Sequence, residues 1–400
     1  MGMSKPRTVL ALLIAGVLVI AVLGGCTTPP ATPTGTGGTT SSVLKIGVET
    51  GLTGPLPDYG FTAAEGAKLA AKDLNDKGGV TIAGKKYTIE IVVKDDEADP
   101  AKAPVVAQGF IDEGVVGVVG PLTSGAANAG GPIYSGAKMP QITASATLAT
   151  LTQNGWTNFF RNCVGDNIQG AGLAKWAQDL GFKKVAVMDD SSAYAVGLAD
   201  NVIKGLTVES LRQSAKDTDT DFSAQITNIK NFGADAIIFT GYHKQAGLLR
   251  KQMVEQGLGK VQMFGADGIK SADFAAEAGG AANAKGVYCT IGAFGTANPA
   301  ELPLYAKFKT DYVAQAGKDP GPYAEGNYDA VGTLVAAMEA AGSTDGAAVV
   351  TALHNLTYTG ILGTYKFDAN GDITAAGASA NIKTIFHFIN GGKDFVPTTK

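Results

Sequence analysis

The chain has 400 residues, 45% of them hydrophobic and 17% charged, with 32 basic residues against 36 acidic and a formal charge of −4. An acidic balance with no basic stripe argues against nucleic acid as a partner. Three cysteines, Cys26, Cys163 and Cys289, are too few for a disulfide framework. The histidines His243, His354 and His387 are scattered, and no HExxH, CxxC or GxxxxGK[ST] occurs, so no metal site, redox pair or nucleotide cradle is expected and no cofactor is implied.

Lys5 and Arg7 give the start of the chain positive charge, residues 9–23 form an uncharged apolar run, and Leu23-Gly24-Gly25-Cys26 closes it. That order is an export signal, and the run is short for a spanning helix, which needs about 20 residues. The small pair before Cys26 is similar to the lipobox of lipoproteins, whose cysteine takes a lipid and becomes the new N-terminus. Residues 1–25 are therefore expected to be a removed signal peptide, with Cys26 anchored at the outer face of a membrane. Residues 26–42 are Thr-, Pro-, Gly- and Ser-rich and are expected to be a disordered leash. Its sixteen residues after Cys26 reach at most roughly 55 Å at about 3.5 Å each.

From residue 42 onward the length suffices for two lobes with separate cores. Strand-like runs alternate with helical patterns: strand 43–48 then helix 61–77, strand 87–93 then helix 101–113. Residues 115–119 are continuously apolar and β-rich, as a buried parallel strand is. Strand 185–188 precedes helix 194–206, and strand 236–240 precedes helix 245–256. This alternation predicts an α/β fold with parallel sheets and helices on both faces. Residues 159–163 and 286–290 read as strand-like lobe crossings. The expected organisation is lobe 1 over 43–162, lobe 2 over 163–288, lobe 1 again over 289–363, and lobe 2 again over 364–400. A ligand is expected in the cleft where the carboxyl ends of both sheets face each other.

Three strand exits offer candidate contacts. Residues 47–55 hold glycines that fit no dinucleotide fingerprint, leaving a structural turn or close backbone approach to another ligand. In Gly120-Pro121-Leu122-Thr123-Ser124-Gly125-Ala126 a strand ends and a helix begins, with Ser124 placed as N-cap. Such a helix end also attracts an anion such as a carboxylate. Ile142-Thr143-Ala144-Ser145-Ala146-Thr147 is a third exit, readable as an ordinary hydroxyl-rich loop or as one that admits a ligand to the backbone. His243 reads as a polar loop residue.

Several segments, in this order and spacing, resemble the branched-chain amino-acid (leucine/isoleucine/valine) binding proteins of ABC transporters. They include Gly54-Pro55 with Asp58-Tyr59-Gly60, Gly120 to Ser124, residues 142–147, and Arg161 with Asp166 and Gln169-Gly170. Tyr194-Ala195-Val196-Gly197, Gly241-Tyr242-His243 and Gly265-Ala266-Asp267-Gly268 complete them. The resemblance implies two doubly wound parallel-sheet lobes joined by hinge strands, the type I periplasmic-binding-protein fold, closing on an amino-acid zwitterion. It implies Ser124, with Leu122 and Thr123 beside it, at the ligand carboxylate, Ser145 and Ala146 as backbone contributors, and Thr147 near both charged ends. It implies Tyr194 and Tyr242 from the second lobe, Tyr59 and Tyr323 as aromatic neighbours, and Asp267 as partner of the ammonium. A desolvated ammonium needs such a carboxylate, because its unpaired burial is very costly.

Departures from the family pattern restrain the ligand assignment. Asp267 stands where leucine-type members often have glutamate, and Ala98 and Thr123 stand where the family has an early disulfide. Amino acid is the firmer expectation; amides, urea and aromatic acids are bound by related members. The implied partners are the small ligand, a membrane permease and, through the lipid, the membrane; a monomer is expected and catalysis is not. A sensor of the same fold and a secreted hydrolase are the rival readings. The hydrolase lacks a GxSxG elbow, because Leu122 stands at its first glycine. Cys163 and Cys289 fall in the two crossings and are weighed as a hinge disulfide against two buried thiols.

Overall fold

The protein is described here from a computed structural model, which covers residues 42–293, 302–374, 383–390 and 394–398. The expected signal peptide, Cys26 and the leash up to residue 41 lie outside the described residues. Ser42, counted with the leash, is already paired in a sheet, opposite Tyr87.

The first sheet contains β1 (Ser42–Thr50), β2 (Val80–Ile82), β3 (Lys85–Asp95), β4 (Val118–Val119), β5 (Gln141–Thr143) and β6 (Phe159–Arg161). Their order is β2-β3-β1-β4-β5-β6, and all neighbours are parallel except the β2–β3 pair. The apolar strands sit centrally because helices cover both faces: Ile46, Val48, Val119 and Ile142 are buried against Ala330, Leu334 and Met338 of the helix Ala324–Ala341. The other face packs on Phe110 and Tyr134, from the helices Ala103–Asp112 and Ser124–Gly136. Removing such side chains from water contributes about 1.5–3 kcal/mol each.

The second sheet begins with β7 (Lys184–Asp189), β8 (Glu209–Ser214), β9 (Ala236–Phe239), β10 (Gln262–Gly265) and β11 (Tyr288–Ala293), all parallel. A two-stranded hairpin, β12 (Tyr358–Thr359) and β13 (Thr364–Tyr365), is held to the first lobe by Asp329. That carboxylate accepts from the Ile361 and Leu362 amides and the Tyr365 hydroxyl at 2.6–2.9 Å. Strands β14 (Lys383–Asn390) and β15 (Asp394–Thr398) then join the second sheet antiparallel, giving the order β15-β14-β11-β10-β9-β7-β8.

Two expected boundaries move. Lobe 2 does not end at residue 288, because β11 is hydrogen-bonded between β10 and β14 through Ala293. Nor does the return to lobe 2 begin at 364, since β13 pairs with β12 and Phe367 packs on Phe160 of the first lobe. The expected strand 115–119 shortens to Val118–Val119, although the Val116 amide still donates to Lys45 O at 3.0 Å. Edge strand β8, Glu-Ser-Leu-Arg-Gln-Ser, escapes pattern reading because nothing apolar alternates in it, as suits a strand with one open side.

Two helices of the first lobe place aromatic residues at its edge. Pro57–Asp76 and Ala324–Ala341 cross closely because Gly66 has no side chain: a Cβ there would lie 2.0 Å from Ala324 O. This approach sets Tyr59, near the start of one helix, against Tyr323, at the cap of the other. Ala normally beats Gly inside a helix by about 1 kcal/mol, but Gly66→Ala is expected to reverse that and cost about 1–3 kcal/mol through overpacking. Thermal or denaturant unfolding checks it; a stabilised variant would contradict the close crossing.

Candidate functional site

The carboxyl ends of both sheets open onto one small cavity, of about 10 Å³, between the lobes. From the first lobe Leu56, Tyr59, Leu122, Thr123, Ser124, Ser145 and Tyr323 line it; from the second, Tyr194, Tyr242 and Asp267. Nine of the eleven residues named from sequence are among these. Ala146 and Thr147 are buried in the loop behind Ser145 and do not line the cavity. Leu56 is the addition, and a lone leucine before a helix gives no signal in sequence.

The first-lobe wall is a set of loops tied to one another. The Thr143 hydroxyl donates to Pro121 O at 2.9 Å and accepts from the Ala146 amide at 3.0 Å, while Ser145 Oγ donates to Leu122 O at 2.8 Å. The helix cap is Thr123, not Ser124: Thr123 has extended backbone and its Oγ1 accepts from the Ala126 amide at 3.2 Å. Ser124 is the first helical residue, and its Oγ accepts from the Leu148 amide at 3.2 Å. The start of this helix is thus at the cavity, with its partial positive charge.

Arg161 holds the same wall from beneath. It is 1% exposed and donates to Thr147 O at 3.0 Å, Leu148 O at 2.9 Å and Thr152 Oγ1 at 3.1 Å, and it pairs with Asp372. A buried guanidinium is tolerable only with its donors satisfied in this way. The Asp166 amide also donates to Thr147 O, at 2.8 Å. Burial, with Asp267 nearby, pushes the Asp166 carboxyl up to about 8.

Asp267 closes the opposite side, 6% exposed at the end of β10. Its Oδ1 accepts from Gln169 Nε2 at 2.6 Å and Tyr194 Oη at 2.9 Å, and its Oδ2 from Tyr323 Oη at 2.8 Å. Burial raises its pKa, and these three donors oppose that rise. Gln169, whose donation reaches Asp267 only through the folded second lobe, has its amide oriented by Thr290, which donates to Oε1 at 3.3 Å. Tyr323 has φ of 70°, a left-handed conformation costing about 1–3 kcal/mol in an aromatic residue, and it lets a first-lobe phenol reach a second-lobe carboxylate. Tyr194 and Tyr242 stand 5.2 Å apart between centroids, fixed by Asp190, which accepts from the Ser192 and Tyr242 amides at 3.1 and 3.0 Å.

Cys163 and Cys289 form no disulfide; both are buried thiols. Cys289 lies mid-sheet, between Gly265 and His387, in the second-lobe core, whereas Cys163 follows β6 of the first sheet. Burial pushes the Cys163 thiol up to about 12. His243 is not a loop residue: it begins the helix His243–Glu255 and is buried.

Replacing Arg161 with Met should remove its charge-assisted hydrogen bonds to Thr147 O and Leu148 O, at about 1.5–3 kcal/mol each, although the Asp166 and Leu151 amides still donate to those carbonyls. Arg161→Lys should recover only part, because one ammonium cannot span the fork. Chemical denaturation of the two variants measures this; equal stability of Arg161→Met and the parent chain would refute the clamp.

Residues 43–383 match the family model described as periplasmic binding protein. The Leu/Ile/Val-binding protein homolog 1 of Brucella suis is 35% identical over 343 residues, 84% of this chain and 89% of that protein. The branched-chain amino acid transporter substrate binding protein LivJ from Streptococcus pneumoniae, solved with isoleucine, superposes with a TM-score of 0.77 at 30% identity, covering 89% of this chain and all of that one. The leucine binding protein LivK from Thermotoga maritima gives 0.77 at 28% identity, over 88% and 97% of the two chains. This chain belongs to the periplasmic binding protein family.

Proposed function

We propose that this protein is the solute-binding member of an ABC transporter, capturing a free amino acid, branched-chain or related, and delivering it to a membrane permease. The observation that carries the reading is Asp267, a buried carboxylate across the cavity from the start of the Ser124–Gly136 helix. An ammonium satisfies the first and a carboxylate the second, and a zwitterion has both. Ser124 and Ser145 are proposed to serve the carboxylate end, with Tyr59, Tyr194, Tyr242 and Tyr323 framing the ligand. Leu56 and Leu122 supply apolar lining for its side chain. The relatives named for leucine, isoleucine and valine support this class of ligand.

The mechanism is closure. A ligand that touches both lobes stabilises the state in which they meet, by its differential contacts. The serine hydroxyls are engaged with backbone at Leu148 and Leu122, which suits scaffolding rather than nucleophilic chemistry, so the protein binds without catalysis. The protein works outside the cytoplasm, as a monomer tethered through lipidated Cys26 on the leash.

A thermal-shift screen of the 20 common amino acids and small amides is the test, since a ligand at 100 times its Kd stabilises by about 2.7 kcal/mol. A branched-chain amino acid should shift the midpoint most; shifts from amides alone would move the assignment. Asp267→Asn should weaken amino-acid binding roughly 10–100-fold, the worth of a charge-assisted hydrogen bond. The pKa of Asp267 is raised, so protonation disables it from a pH above the ordinary 3.8. Affinity should therefore be full near neutrality and fall as pH drops through that raised value; an affinity flat down to pH 4 would contradict the pairing.

A further inference from the structure

Beside the cavity, next to the Tyr59 ring that lines it, the lobes meet a second time, and the contact is ionic. His243 begins the helix His243–Glu255 of the second lobe and is 3% exposed. Its Nδ1 lies 2.9 Å from both carboxylate oxygens of Glu277, in the same lobe. Its Nε2 faces the other way, 3.4 Å from Oδ1 of Asp58 near the start of the first-lobe helix Pro57–Asp76. The remaining Asp58 oxygen accepts from Ser271 Oγ of the second lobe at 3.1 Å. The Tyr59 ring stands edge-on to the imidazole at 4.9 Å, and its hydroxyl donates to Gly268 O across the cleft at 3.1 Å. Gly247, one turn along from His243, makes room for this: a Cβ there would lie 2.4 Å from Glu277 Cβ.

The chemistry of the ring decides its charge. A neutral imidazole has one N–H and one lone pair, so between two carboxylates it would aim that lone pair at an anion. Only the imidazolium is attracted to both: its Nδ1 hydrogen-bonds Glu277, while Nε2 makes no hydrogen bond and meets Asp58 as an ion pair. We propose that Asp58, His243 and Glu277 form an ionic latch across the lobes, one that favours the closed state without touching the ligand and so sets how firmly ligand is held. This rests on the reading of the cleft as one that opens and closes. Glu277 keeps the charge on His243 in either state, whereas the Asp58 contacts exist only while the lobes meet. His243 and Asp58 are thus positioning residues that act through closure.

Burial lowers the basicity of the ring, but Asp58 and Glu277 outweigh it and raise its pKa to about 9. A raised histidine stabilises the latched state below that value and loses the effect as pH climbs through it. The other groups facing the ring are the Tyr59 phenol, held well above its usual range by burial, and the uncharged Ser271 hydroxyl. Neither changes charge between pH 8 and 10.

The test uses the purified full-length chain, its Asp58→Asn and Ser271→Ala variants, and L-leucine as probe. Small-angle scattering without ligand should show a more open particle for Asp58→Asn at pH 7.5, and the parent chain should open between pH 8 and 10 while the variant does not change. L-leucine should bind Asp58→Asn roughly three- to tenfold more weakly, through faster dissociation, with Ser271→Ala intermediate. The parent-to-variant affinity ratio cancels the titration of the ligand's own ammonium, and it should fall toward one by pH 10. Identical scattering and identical affinity in parent and Asp58→Asn across this range would overturn the latch. If L-leucine binds none of the proteins, the ligand assignment fails, and the ligand-free scattering still decides the latch.

Discussion

A carboxylate placed between two lobes, out of reach of water, has to be satisfied by the protein or by a ligand. Asp267 is satisfied by Gln169 and Tyr194 from its own lobe and by Tyr323 from the other. Most of the cleft's construction serves that arrangement. The crossing at Gly66 fixes where Tyr323 sits, the positive φ of Tyr323 turns its phenol toward the second lobe, and Thr290 orients the glutamine amide. Three neutral donors stabilise an ionised carboxylate only in part, so its proton affinity stays raised. A site in that condition favours an incoming cation strongly, since the cation replaces hydration that burial has removed.

The facing wall has the opposite character. Among the described residues it has no buried cation aimed at the cavity; Arg161 turns its donors to the carbonyls of Thr147 and Leu148 and to Asp372. The wall offers an anion a helix start and small hydroxyl residues. On the proposed reading a molecule with separated charges uses both sides, and a purely cationic or purely anionic one leaves half of the cleft unused. The wall also assigns different tasks to neighbouring residues: Thr123 terminates the helix, while Ser124 fastens the helix start to the loop at Leu148.

Much of this was legible in the sequence because it depends on local chemistry. Apolar runs bounded by glycine-rich exits mark buried parallel strands, and exits bearing Ser124, Ser145 and Asp267 are where an open α/β sheet presents ligand contacts. The illegible parts depend on partners distant in sequence. Polar edge strand β8 is a strand only because β7 lies beside it, and the apolar pattern of β11 gives no sign that β14 returns to pair with it. The boundaries at 288 and 363 were misplaced for that reason. Cys163 and Cys289 both lie in strand-like sequence, but Cys289 is in the second sheet whereas Cys163 follows the last strand of the first. His243 reads as polar from its neighbours, and its burial follows from Asp58 and Glu277, far away along the chain.

The account stands on the pairing of Asp267 with an ammonium, and one comparison addresses it directly. Calorimetric titration of the parent protein with L-isoleucine and with its 2-oxo analogue changes only the group that Asp267 is said to bind. Loss of the ammonium leaves a buried carboxylate without its partner and should weaken binding at least about 100-fold. Equal affinity for the amino acid and the oxo acid would show that the cleft reads some other part of the ligand.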